Sequence, residues 1–108
     1  MSILYKNAKV DLTTTNATDV FSVSNATTAV IKSILVSEDS GNADTITVTI
    51  TSGSDVFSLF KVKAVSANGT VELLTAPLVL AESEILKATA ATGGRLHIIV
   101  SYMEISYN

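Results

Sequence analysis

The sequence has no cysteine, no tryptophan and a single proline, Pro77. Without cysteine there are no disulfides and no thiolate metal ligands, so stability must come from packing and backbone pairing. Charge is scarce as well: 16% of residues are Asp, Glu, Lys or Arg, against about 25% in an average soluble domain. Seven basic and ten acidic residues give a net charge of -3 and a pI near 4.9, which leaves no basic footprint for nucleic acid or an anionic membrane. No apolar run reaches the about 20 residues of a membrane span. The longest, Val30 to Val36 and Leu96 to Met103, are interrupted by Lys32, Ser33, His97 and Ser101. Met1 to Tyr5, followed by Lys6, Lys9 and Asp11, lacks the basic-then-apolar order of a secretory signal. Aromatic residues make up 6%, too few for the stacking platforms of sugar modules and single-strand binders.

What is abundant is short apolar alternation. Hydrophobic residues are 47% of the 108, too many for disorder and enough for one core, so residues 1–108 read as a single domain. Asp44 to Thr51 (DTITVTIT) alternates strictly, placing Ile46, Val48 and Ile50 on an inner face and Thr47 and Thr49 outside. Ser52, Gly53 and Ser54 turn it into Asp55 to Lys63, which predicts a hairpin. Thr18 to Val23 and Thr28 to Ser37, separated by Ser24, Asn25 and Ala26, predict a second hairpin. Asn68-Gly69 is the strongest two-residue turn signal, ahead of Thr70 to Leu74; Leu78 to Leu80, Glu84 to Thr89 and Arg95 to Ile105 complete the strands. Seven or eight short strands without a helical period define an all-β fold, an antiparallel β-sandwich of which the jelly roll is one form.

No constellation of residues points to catalysis. His97 is the only histidine and sits in an apolar strand, where a core or interface role outweighs a general base that has no positioned partner. Glu38 to Asp44 concentrates oxygen ligands but fails the EF-hand order, so a solvated turn with Gly41 or Asn42 in a left-handed conformation is the favoured reading. Glu82 and Glu84 neighbour a turn and read as solvated surface rather than a glycosidase pair. No catalytic, metal or cofactor residue is assigned. Two surfaces instead predict contact with other chains. The last strand is apolar on both faces, Leu96, Ile98, Val100 and Tyr102 alternating with Ile99 and Met103, and the threonine face of Thr45 to Thr51 carries no charge to discourage pairing.

Leu12-Thr13-Thr14-Thr15 before Asp19 to Val23, Ala26 to Ile34, Thr45 to Thr49, Val71 to Leu74, Pro77 to Leu80 and Ile98 to Ile105 together resemble the small Thr-rich virion proteins of tailed bacteriophages. The resemblance implies a particle component, assembled in the host cytoplasm and resident in the virion. The expected role is a capsid decoration or cement protein that stabilises the head shell by binding only its assembled state. A neck or tail part, receptor-binding or fibre-like, and a glycan-binding module are the alternatives. The expected partners are the major capsid protein or other virion proteins and further copies of the chain, in a small homo-oligomer with a trimer foremost; nucleic acid and membrane are not expected. The residues expected at the interface are Ile99, Tyr102 and Met103, and an N-terminal arm over residues 1–9 through Ser2, Ile3, Leu4, Tyr5, Lys6 and Lys9, because chain termini are readily recruited as clamps.

Overall fold

A computed structural model describes residues 1–107. Nine strands follow one another: β1 (Ser2–Leu12), β2 (Thr18–Ser22), β3 (Thr27–Glu38), β4 (Asp44–Ser52), β5 (Asp55–Val65), β6 (Thr70–Glu72), β7 (Leu78–Leu80), β8 (Ile85–Ala90) and β9 (Leu96–Ser106). No helix occurs among the described residues. The strands form two antiparallel sheets. One runs β1-β9-β3-β6, with β7 also on β3; the other runs β2-β8-β4-β5. With β6 and β7 sharing one position beside β3, this is the strand order of a jelly roll, so the sandwich expected from the sequence is present. Nine strands replace the expected seven or eight because the N-terminal residues, expected as an arm, form β1 along the edge of β9.

The core lies between the sheets. Ile31, Ile34 and Val36 of β3, Leu96, Ile98 and Val100 of β9, and Leu12 of β1 face Ile46 and Val48 of β4 and Leu86 and Ala88 of β8, all essentially inaccessible. The β4-β5 hairpin forms as the alternation predicts, with Ile46, Val48 and Ile50 buried and Thr47 and Thr49 half-buried on the outer side. β4 is flanked by β5 and β8, so its threonines lie on an inner strand and need no charge to block edge pairing, contrary to the sequence-based expectation.

Two other expectations are corrected. β2 and β3 do not form a hairpin: β2 pairs with β8 in one sheet and β3 with β9 in the other. Ser24 to Ala26 is a corner that carries the chain across the sandwich, with Ala26 at a left-handed φ of 56°. The N-terminal residues are not a loose arm either, since β1 pairs with β9 from Ser2↔Ser106 to Leu12↔Leu96. Asn68-Gly69 does turn the chain, closed by Gly69 N donating to Ser66 O at 2.9 Å, but it joins β5 and β6 across the two sheets. At Gly93 a Cβ would lie 2.4 Å from the Thr13 carbonyl oxygen, so only glycine lets the approach to β9 pass this close to the chain leaving β1.

Candidate interaction surface on the five-stranded sheet

Along β9 the period of two sends Leu96, Ile98, Val100, Tyr102 and Glu104 inward and His97, Ile99, Ser101, Met103 and Ile105 outward. The register then aligns an apolar row across four strands of the outer face: Val79 beside Val30, Val30 beside Met103, Met103 beside Tyr5. Ile105 and Ile3 form the next rung, and Leu35, Ile99 and Lys9 another towards the opposite end. Tyr5 is 80% exposed, Val79 58% and Ile3 50%. A bulge between Ile31 and Ser33 turns Lys32 out beside the row. That bulge is held by Glu72, whose carboxylate accepts from the Ser33 hydroxyl and from Ile34 N at 2.7 Å.

The first half of β1 extends past the support of the second sheet. Ser2 to Asn7 are exposed on both faces, and Leu4, on the inner side, is as open as Ile3. Lys6 is the tethered member. Its ammonium donates to Glu104 at 2.9 Å, and that hydrogen bond with the neighbouring charge pushes its pKa up. Of the residues expected at the interface, Ile3, Tyr5, Lys9, Ile99 and Met103 share the outer face, while Ser2, Leu4 and Lys6 lie on the inner face of the same overhang. Tyr102 is the exception, because it shares the inward parity of Val100. It stacks on Phe21 with centroids 4.4 Å apart and planes within 4°, and burial pushes its phenol pKa up. It closes the end of the core and stays half-exposed there.

The polar clusters are structural. Glu38 is buried, and desolvation alone would raise its pKa. The Ser40 hydroxyl and four backbone N–H groups, of Ser40, Gly41, Asn42 and Asn68, nevertheless donate to its two oxygens and hold it at about 2. The loop after β3, with Gly41 at φ 82°, therefore folds around an anion and binds the β5-β6 turn to it. Sequence reading placed the loop but missed Glu38 as its organiser; a glutamate two residues ahead of Ser-Gly-Asn was the signal available. Glu82 and Glu84 likewise accept from Ala26 N and Ala81 N, capping corners rather than lying free in solvent.

His97 does have acidic neighbours, which its sequence context hid. Nε2 lies 3.3 Å from Asp11 Oδ1, and Nδ1 lies 3.7 Å from Asp39 Oδ2. The carboxylates flank different ring nitrogens, so a cation at either nitrogen would meet one of them, and no serine or threonine lines the adjoining groove of Lys9, Val10, Asp11, Ile98 and Ile99. The cluster ties β1 and the loop after β3 to β9, and Ser37 of β3 stands opposite His97 in the ladder.

No family model and no curated protein matches the chain. The fold is similar to that of a solved chain from Bacillus endospore appendages, which form a novel family of disulfide-linked pili. The likeness has a TM-score of 0.58 at 10% identity and covers 99% of this chain and 90% of that one. At this identity it shows the shared fold alone.

Proposed function

We propose that the chain is a structural building block that joins an assembly through protein–protein contacts and performs no chemistry. The observation that carries this reading is the apolar row Val79, Val30, Met103 and Tyr5 on the open face of the five-stranded sheet, continued by Ile3 and Ile105. Tyr5, Val79 and Ile3 are half or more exposed and Val30, Met103 and Ile105 half-buried, which makes a contiguous apolar surface of the kind that is often functional on soluble domains. Low charge supports the same reading. So does the likeness in fold to a chain of pili, although without cysteine this chain cannot form disulfide links of that kind.

The assembly proposed is the particle of a tailed bacteriophage, with the chain as a decoration or cement protein on the head shell. Support comes from the resemblance of its Thr-rich segments to virion proteins and from an exposed sheet face that a capsid lattice would cover. Binding only the assembled shell adds stability to that state by mass action. The test compares particles with and without the chain for rupture on heating and locates the chain by electron microscopy. A position on the outer head with earlier rupture in its absence supports the reading. A position at neck or tail with equally robust heads replaces it with the neck or tail alternative, and specific retention on a glycan array replaces it with a sugar-binding module. Ile3→Lys with Val79→Lys should abolish attachment to particles while leaving the isolated domain folded.

A further inference from the structure

An edge strand whose outward N–H and C=O groups face solvent is a template for another strand, and natural sheets blunt such edges. Here the edges are β1, β2, β5 and the short β6 and β7. β2 has five residues and a register shift between Asp19 and Phe21. β6 and β7 have three residues each, with Pro77 between them. β5 carries two register shifts and Val62 at a left-handed φ of 53°. Among the described residues, β1 alone is left open. Its eleven residues run in unbroken register with β9, without bulge or proline, and Leu4 and Tyr5 are 51% and 80% exposed.

We propose that this edge takes β1 of a second copy, paired antiparallel about a two-fold axis, so that two five-stranded sheets become one continuous sheet. With one open edge per chain, strand pairing between copies has to be isologous, and an isologous contact closes at two. The axis stands perpendicular to the sheet, so outer-face residues meet outer-face residues and the axis passes through a residue rather than between two. Centred on Lys6 or on Lys9, the pairing would set like charges against each other. Centred on Asn7, all eleven residues of β1 pair. Leu4 then faces Val10, Tyr5 faces Lys9, Lys6 faces Ala8, and no like charges meet. The unsupported first half of each β1 comes to lie along the supported second half of the other.

The inference does not depend on which particle the chain joins, and its test uses the isolated chain. Because native cysteine is absent, single cysteines report proximity without background. Directly opposed residues in an antiparallel pair have Cα atoms about 4.5–5.5 Å apart, within disulfide reach. Asn7→Cys should give a disulfide-linked dimer on mild oxidation, faster than Leu4→Cys or Tyr5→Cys, while Ser58→Cys on β5 stays monomeric. The unmodified chain should sediment as a dimer, and Leu4→Lys with Tyr5→Lys should sediment as a monomer with an unchanged circular dichroism spectrum and melting temperature. Fastest linkage at Leu4 or Tyr5, or linkage at Ser58 matching that at Asn7, would overturn the pairing about Asn7. A monomeric native chain at high concentration, or a dimer that survives both lysines, would overturn the use of this edge. None of these outcomes bears on attachment to a phage head, which is read on particles.

Discussion

β1 and β5 are both eleven-residue strands at the margin of a sheet, and the fold treats them in opposite ways. β5 is bulged twice against β4, and at one bulge Val62, a β-branched residue, is forced to positive φ while its N–H is taken up by Thr47 Oγ1 at 3.1 Å. That conformation costs about 1–2 kcal/mol in a non-glycine residue. β1 stores no such strain and keeps a straight ladder. Strain is thus tolerated on the edge that is closed to pairing and is absent from the edge that is left open, as expected if β1 has a partner and β5 has none.

The two sheets also differ in how firmly the residues beneath these strands are held. Val48, opposite Phe60 of β5, is fully buried. Val48→Asp should cost on the order of 4 kcal/mol in chemical denaturation, the penalty of an unpaired buried charge, whereas Thr47→Asp should cost about 1 kcal/mol or less. Along β1 the effect should fall from the anchored end to the free one. Leu12, 1% exposed, should lose about 2–4 kcal/mol on truncation to alanine, and Leu4 about 0.5 kcal/mol in dilute protein. Equal losses at Leu12 and Leu4 would mean that the overhang is packed within the single chain.

A smaller effect is expected in acid. Glu38 has its folded pKa lowered from 4.5 to about 2, so its contribution to stability is fully present above pH 4.5 and is lost as pH falls towards 2. Melting temperatures should therefore decline across that interval, and Glu38→Gln should flatten the decline while lowering stability at neutral pH. The smallest effect belongs to the β5 bulge. Val62 is 60% exposed, so Val62→Gly gives up little burial. Relief of the positive φ should outweigh the added freedom of the unfolded chain and raise stability by about 0.5 kcal/mol. A loss of stability there would contradict the strain assigned to β5.

What could be read from the sequence was local. Thr45 to Thr51 fixed its own faces by alternation, and Ser52 to Ser54 fixed the hairpin to β5, since both depend on neighbours in the chain. The inward parity of Tyr102 was legible in the same way, from the row it shares with Ile98 and Val100, whereas its stack on Phe21 was not, because that depends on a contact between the sheets. The pairing of β2 with β8 rather than β3 could not be read, because a corner and a hairpin draw on the same turn residues and only the second sheet decides between them. The aspartates beside His97 come from β1 and from the loop after β3, and the apolar row on the outer face combines four strands, so neither exists until the jelly roll closes. Apolar residues on both faces of β9 did announce that one side lacked cover.

Amide hydrogen exchange, residue by residue, on concentrated and dilute chain tests most directly whether β1 is the edge that assembles. On an unpaired edge strand every second amide points to solvent and exchanges early. The account predicts that the outward amides of β1 become protected as concentration rises while those of β5 exchange quickly at both concentrations. Outward β1 amides that exchange as fast in concentrated as in dilute protein, or concentration-dependent protection on β5 instead, would contradict it.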